Sequence, residues 1–203
     1  MVFKIGDLSL KNRVVAAPMA GITDQAFRTI AASFGCGLTF TEMISAQALL
    51  YRHPRTLAMF DVSRDKVPAV VQLFGSRPET MGEAAVLARE FGAKVIDINM
   101  GCPTPKIVKS GEGSALMKDL PRARQLIRSV VRAADIPVTV KMRKGWDESG
   151  INYIELCRIA EEEGVAAITI HPRTRSQFFS GEAEWNGIRL AKEAVSIPVI
   201  GNG

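Results

Sequence analysis

The chain has 203 residues, of which 47% are hydrophobic, and a formal net charge of +5. This length is enough to bury the core of one domain. No apolar run approaches the roughly 20 residues that cross a bilayer, so we expect no membrane association. The mild positive charge permits an acidic partner such as nucleic acid but does not require one.

The N-terminus and the cysteines indicate a reduced compartment. The first residues lack the charged region, apolar stretch and cleavage site of a signal peptide. The cysteines are odd in number and widely spaced, and they form no C-x-x-C pair; they are Cys36, Cys102 and Cys157. Because this pattern predicts neither a disulfide framework nor a zinc site, we expect a cytoplasmic protein without a bound metal.

Short β-branched apolar runs alternate with helical patterns along the whole chain. A small hairpin is predicted over residues 4–10, on the floor of the fold. The strand runs that follow cover residues 14–19, 38–43, 68–74, 95–99, 137–142, 166–171 and 198–200. The stretches between most of these runs carry one apolar stripe at helical spacing, as at Ala123, Leu126, Ile127, Val130 and Val131. Near-continuous apolar strands joined by helices predict a parallel sheet covered by helices.

The regular series of strands favours a (β/α)8 TIM barrel over an open doubly wound sheet. No G-x-G-x-x-G follows the first run, which argues against a dinucleotide-binding unit. A complete barrel needs eight strands and about 250 residues. The sequence stops just past the seventh strand signal, so we interpret it as a barrel truncated after its seventh strand.

Polar residues stand where the predicted strands end, which is the side of a TIM barrel that carries active sites. Asn99 and Asp97 close the fourth strand, and Lys141 and Arg143 close the fifth. The remaining polar or loop-forming strand ends are Pro18, Met19, Ala20, Glu42, Gln72, His171, Arg173 and Asn202. Polar groups in apolar strands are costly to bury without partners, so a ring of them at one end predicts a ligand.

Each of these side chains also has an ordinary structural interpretation. Cys102, between Gly101 and Pro103, is either an inert thiol or a catalytic group. Gln72 could satisfy neighbouring backbone groups, and His171 could be a structural histidine. Lys141 is harder to explain in this way, since lysine is rarely buried unpaired.

Together the strand ends suit a planar, anionic cofactor at the barrel mouth. A lysine beside the pyrimidine edge of a flavin would stabilise the charge that develops on reduction. The amide of Gln72 can pair with an imide edge. Asn202 lies between glycines at the seventh strand, in the quarter of a barrel that commonly binds phosphate.

Seven segments of the sequence closely resemble the tRNA dihydrouridine synthases, and the bacterial B-type branch most of all. They are APMAGITD (17–24), VQLFG (71–75), DINMGCP (97–103), GSAL (113–116), VKMR (140–143), TIHPRT (169–174) and IGNG (200–203). The resemblance implies that residues 1–203 are an FMN-binding catalytic barrel that lacks its eighth strand and a C-terminal helical RNA-binding domain.

The same resemblance implies an enzyme that uses NADPH to reduce the 5,6 double bond of a uridine in tRNA. Hydride would pass from reduced FMN to carbon 6, and Cys102 would protonate carbon 5 from the opposite face. Asn99 and Arg143 would hold the uracil. The implied FMN contacts are Pro18, Met19, Ala20, Gln72, Lys141, His171, Asn202 and Gly203. We expect a monomer.

Three other functions stay open at this level. An FMN barrel that reduces a small pyrimidine or enone would use Lys141 and Cys102 in similar ways. A flavin-free phosphate-binding lyase or isomerase would use Lys141 as a Schiff-base nucleophile. A non-catalytic RNA-binding protein would have no need of the intact Cys102 loop.

Overall fold

The structure is a computed structural model and describes residues 3–203. It begins with a two-stranded antiparallel hairpin, β1 (Phe3–Ile5) and β2 (Leu8–Leu10). This confirms the hairpin predicted over residues 4–10. Residues 1 and 2 of the predicted domain lie outside the described range.

Six parallel strands form the main sheet, in the order in which they occur along the chain. Their bounds are β3 (Thr39–Ser45), β4 (Ala69–Phe74), β5 (Val95–Met100), β6 (Val138–Arg143), β7 (Ala167–His171) and β8 (Val199–Gly201). A doubly wound sheet reverses its strand order at a switch point. The unbroken order is that of a TIM barrel, and this confirms the predicted fold class.

Helices connect the strands. They are α1 (Gln25–Ser33), α2 (Ala46–Leu50), α3 (Pro54–Phe60), α4 (Pro78–Glu90), α5 (Pro105–Lys109), α6 (Leu120–Ala134), α7 (Tyr153–Glu162) and α8 (Asn186–Ala194). Two 3₁₀ turns, Gly113–Lys118 and Glu148–Gly150, precede α6 and α7. The predicted apolar stripe of α6 is buried, and Asp119 caps its start by accepting from the Arg122 N–H. No helix among residues 3–203 is long and apolar enough to cross a membrane.

The predicted strand over residues 14–19 is mostly wrong, because only Val15 forms a bridge, to Leu38. Two backbone hydrogen bonds, from Ala16 N to Leu38 O and from Gly37 N to Val14 O, hold this segment beside β3. Pro18 has no N–H with which to extend the ladder. The segment therefore runs alongside the sheet without becoming a regular strand.

Apolar side chains form two separate layers. The larger layer lies between the helices and the outer faces of β4 to β7, and includes Ile96, Ile98 and Met100 of β5. The smaller one joins the hairpin residues Ile5 and Leu10 to inward-facing strand residues, namely Phe40, Val70, Val95 and Ala167. Since strand side chains alternate between faces, the hairpin closes the floor and leaves the upper inward positions for polar residues.

Candidate active site

The inward-facing positions above the floor are polar on four neighbouring strands. The register places Gln72 beside Asp97 and Asn99 beside Lys141. Further along the sheet, Arg143 lies beside His171. The sheet thus brings the predicted strand-end residues to one side of the molecule, at the carboxyl ends of its strands.

A chain of hydrogen bonds crosses these strands below the mouth. Thr139 Oγ1 donates to Asp97 Oδ1 at 2.6 Å, and Gln72 Nε2 donates to Asp97 Oδ2 at 2.7 Å. Asn99 Nδ2 donates to Gln72 Oε1 at 2.9 Å. All four side chains are buried. The amide of Gln72 is thus paired within the protein at both ends.

The Cys102 loop is fixed by side chains on both sides. Asn99 Oδ1 accepts from Cys102 N at 2.9 Å and from Gly101 N at 3.2 Å. Ser114 donates to the Cys102 carbonyl from its backbone N–H at 3.1 Å and its hydroxyl at 2.9 Å. Cys102 Sγ lies 3.3 Å from Thr104 Oγ1. Cys102 is partly exposed, whereas Cys36 and Cys157 are buried, so the thiol of this loop is the accessible one.

The Cys102 loop requires a glycine at position 113. Gly113 has φ +59°, and an added Cβ would lie 2.8 Å from the Cys102 carbonyl oxygen and 3.0 Å from Ile107 Cγ2. Gly111 has φ +74°, but its nearest contact would be Ser76 Cβ at 3.8 Å. Backbone strain is common to both positions, whereas crowding of the loop is confined to Gly113.

We therefore expect Gly113→Ala to lower the free energy of unfolding by about 1–3 kcal/mol more than Gly111→Ala, because only the former overpacks its surroundings. Urea denaturation of the two variants measures this difference. Equal losses would mean that the loop moves aside without cost.

Lys141 and Asp97 occupy inward positions on adjacent strands. Burial raises the pKa of Asp97 to about 6, and the hydrogen bonds from Gln72 and Thr139 oppose that shift. Burial likewise lowers the pKa of Lys141 to about 8, against the attraction of Asp97. Within residues 3–203, Lys141 Nζ has no hydrogen-bond or ion-pair partner. A half-buried ammonium that lacks a partner is suited to an anionic or electron-rich ligand.

Arg143 joins the two loops of the mouth. Its Nε donates to Gly101 O at 2.9 Å, and its Nη1 donates to Thr174 O and Phe178 O, each at 2.8 Å. Burial lowers the pKa of Arg143 to about 10, so the guanidinium stays charged at neutral pH. Arg143 therefore fixes the Cys102 loop against residues 174–178.

His171 presents a buried ring nitrogen towards the mouth. Its Nδ1 lies 3.1 Å from the carbonyl oxygen of Asn202, an arrangement in which the ring donates. The opposite nitrogen, Nε2, is buried and has no hydrogen-bond partner in the described part of the chain. Burial, together with the nearby Arg143 and Lys141 charges, lowers the pKa of His171 to about 4, so the ring is neutral at pH 7. A neutral ring that donates through Nδ1 leaves Nε2 as an acceptor for a ligand.

The low pKa of His171 makes folding sensitive to acid. From its ordinary value of 6.5 down to about 4, the unfolded chain binds a proton that the folded protein does not. The free energy of unfolding therefore falls as the pH is lowered through this range, by up to about 3 kcal/mol. We expect His171→Gln to remove that part of the fall.

The other histidine offers the control for this prediction. His53 is exposed at the start of α3. Urea denaturation at pH 4.5 and pH 7 should give the same difference in His53→Gln as in the wild type, and a smaller one in His171→Gln. The same difference in all three proteins would contradict the assignment.

The loop of residues 18–20 is held at the mouth by its own contacts. Thr23, which is fully buried, exchanges hydrogen bonds with Met19, from Met19 N to Thr23 Oγ1 and from Thr23 Oγ1 to Met19 O, both at 3.1 Å. The Glu42 carboxylate accepts from Gly21 N. Met19 and Ala20 are exposed and Pro18 is half-buried, so this loop has surface available for a ligand.

Of the remaining residues predicted to belong to the site, some lie in it and others lie in neighbouring loops. Gly203 lies against His171, since an added Cβ would be 3.6 Å from His171 Nδ1. Arg173 is turned to the neighbouring loop, where its Nη2 donates to Gly181 O at 2.8 Å. The site residues that were not predicted are Thr139 and Ser114, although Ser114 stands in the GSAL segment that contributes to the family resemblance. A threonine inside an apolar strand, close to Lys141 in sequence, was the available signal for the former.

Fold and site together define a TIM-barrel protein with a cluster of polar side chains at its mouth. The family described as "Dihydrouridine synthase (Dus)" matches residues 14–203. The chain belongs to that family, which confirms the resemblance found in its motifs.

Alignments with relatives in the family extend over all or nearly all of this chain. A probable tRNA-dihydrouridine synthase of Rickettsia conorii is 45% identical over 203 residues, which are 100% of this chain and 61% of the relative. The tRNA-dihydrouridine synthase B of Klebsiella pneumoniae is 45% identical over 201 residues, 98% of this chain and 62% of that protein. The second name supports the B-type branch, and the chain spans about three-fifths of the length of these relatives.

Solved structures at low sequence identity share the fold. A variant of NCR from Zymomonas mobilis is 15% identical with a TM-score of 0.63, covering 100% of this chain and 78% of its own. Histamine dehydrogenase from Rhizobium sp. 4-9 is 15% identical with a TM-score of 0.66, covering 98% of this chain and 41% of its own. These likenesses support the barrel architecture.

Proposed function

We propose that the protein reduces uridine in tRNA to 5,6-dihydrouridine, with FMN as its cofactor and NADPH as its reductant. The observation that carries the proposal is the Cys102 loop. Its accessible thiol follows β5, the strand that pairs with the strand of the unpartnered Lys141, in a chain of the dihydrouridine synthase family.

The residues at the mouth fit a flavin. Lys141 Nζ and His171 Nε2 both lack partners among the described residues, one a cation and the other a buried acceptor. Asn202 and Gly203 lie beside His171 and are suited to the phosphate end. Pro18, Met19 and Ala20 form a partly exposed wall of the site. Gln72 keeps its bonds to Asp97 and Asn99 and has a second amide hydrogen and a second lone pair with which to pair an imide edge. When bound, a reduced flavin supplies a hydride to carbon 6 of the uracil.

The remaining chemistry belongs to the protein's own side chains. Cys102 donates a proton to carbon 5, for which a thiol is competent near neutral pH when it is placed within hydrogen-bond reach. Arg143 and Asn99 hold the uracil edge. Asn99 Nδ2 lies 3.8 Å from Met43 Sδ, and the hydrogen that makes this contact is the one most easily redirected to hydrogen-bond a base, because the contact with sulfur is weak. Lys141 would stabilise the negative charge that develops on the bound ring.

Residues 1–203 constitute the FMN-binding catalytic barrel, and the partner is tRNA, whose target base must leave its stack to reach the mouth. We propose a monomeric enzyme of the cytoplasm. The positive net charge of +5 is compatible with such a partner.

The test offers three substrates to the protein in the presence of FMN. Unmodified tRNA transcript, uridine and free uracil are each incubated with NADPH, and the products are digested and examined by mass spectrometry for the gain of two hydrogens. We expect reduction of the transcript alone. Reduction of free uracil at a comparable rate would instead indicate a small-molecule reductase, and no bound flavin would contradict the cofactor.

A further inference from the structure

The hydrogen-bond chain that ends at the Cys102 loop has a direction, and Asp97 is placed to set it. An ionised carboxylate can only accept hydrogen bonds. Asp97 is fully buried, and it accepts from Thr139 on one oxygen and from Gln72 Nε2 on the other. Gln72 must therefore point its Nε2 end towards Asp97.

The orientation of Gln72 decides that of Asn99. With Nε2 committed to Asp97, Gln72 presents Oε1 to β5, and only a donor can face it. Asn99 accordingly turns its Nδ2 to Gln72 and its Oδ1 to the backbone N–H groups of Gly101 and Cys102. If both amides were reversed, Asn99 Nδ2 would face those two N–H groups, donor against donor.

We propose that Asp97 is a positioning residue, which orients the amides of Gln72 and Asn99 so that Asn99 Oδ1 holds the backbone of the Cys102 loop. This deepens the proposed function, since the loop carries the thiol assigned as proton donor. Asp97 itself lies beneath the site and acts only through the two amides.

Substitutions that barely change shape test this proposal. In Asp97→Asn, the Thr139 hydroxyl can accept from the new amide nitrogen or donate to its oxygen, so the acceptor-only group is lost and either end of the amide can face Gln72. In Thr139→Val, Asp97 still accepts from Gln72. In the double variant Asp97→Asn/Thr139→Val, no hydroxyl is left to pair with the introduced amide, so only the Gly101 and Cys102 N–H groups select the direction, and the reversed one becomes accessible when the loop opens.

The measurement is hydrogen exchange of the Gly101 and Cys102 amides in the folded protein at pH 8, without flavin or RNA. We expect exchange within about twofold of the wild type in Thr139→Val, and about tenfold faster in Asp97→Asn and in the double variant, the scale of one lost hydrogen bond. The amides of Ile98 and Val140 serve as the internal reference, and their exchange should stay unchanged.

A rescue variant moves the acceptor-only carboxylate one step along the series of hydrogen bonds, from position 97 to position 72. When Gln72→Glu is added to the double variant, the introduced carboxylate accepts both from the amide at position 97 and from Asn99, and the overall charge equals that of the wild type. We expect Gly101 and Cys102 to regain exchange within about twofold of the wild-type rate.

Two results would overturn the proposal. One is exchange at Gly101 and Cys102 that does not respond in the double variant. The other is a uniform rise that includes Ile98 and Val140, which would mark Asp97 as a general structural residue. Because no substrate or cofactor is present, the result is independent of whether the protein reduces uridine.

Discussion

Replacing Cys102 by alanine is expected to lower the rate of dihydrouridine formation by about 10²–10⁴-fold, the usual contribution of a positioned general acid. Reduction of the flavin by NADPH should continue, because that half of the reaction requires no proton at carbon 5. Single-turnover measurements separate the two: absorbance of the flavin reports its reduction, and mass spectrometry of the tRNA reports the product.

Cys157→Ala is the matched control for that experiment. Cys157 is buried in α7, where burial raises its pKa to about 12, and it has no access to the mouth. The control should keep both half-reactions. Undiminished product formation in Cys102→Ala would remove the thiol from the mechanism and leave water or another side chain as the acid.

Lys141→Met is expected to slow reduction of the flavin by about 10²–10³-fold, because it removes a cation aimed at the developing negative charge while nearly preserving the length of the side chain. The wild-type rate of flavin reduction should also change with pH. Since burial lowers the pKa of Lys141 to about 8, its charge is present below that pH and is lost above it, and the rate should fall as the pH rises through 8.

Stopped-flow reduction by NADPH between pH 6 and pH 9.5 tests both parts of this prediction. Lys118→Met provides the control, because Lys118 is exposed, with its Nζ 4.8 Å from the centre of the Trp146 ring, and its loss removes the same charge from a different place. The control should keep the rate and its pH dependence. A flat profile in the wild type would show that Lys141 does not carry the charge that matters.

Much of the barrel could be predicted because its signals are local. Each parallel strand is a short apolar run, and each long helix carries a stripe, as α6 does, so type and order follow from the residues themselves. The segment over residues 14–19 has the same composition as a strand, yet whether it pairs depends on its neighbours and on Pro18. The short helices α2 and α3 escaped prediction because their lengths of five and seven residues hold too few turns to show a period.

The site, too, has residues that the sequence could predict and contacts that it could not. Lys141, His171 and Cys102 stand out because their residue types are unusual at strand ends. The bonds between Gln72, Asp97 and Asn99 could not be predicted, because they depend on how neighbouring strands are aligned, and a shift of one residue turns a side chain to the opposite face. The alignment of β3 with β4 even changes between Phe40 and Met43. The sequence thus identified the polar side chains of the site but not the hydrogen bonds between them.

The hairpin of β1 and β2 has a kinetic consequence. By packing Ile5 and Leu10 against the inward-facing strand residues, it blocks entry to the interior from the floor. Under the proposed function, the nicotinamide reductant and the target base then both approach the polar residues from the carboxyl ends of the strands, and we expect them to bind in turn. Initial-rate plots at several fixed concentrations of tRNA should accordingly give parallel lines, the pattern of double displacement, with release of the oxidised nicotinamide before the RNA enters.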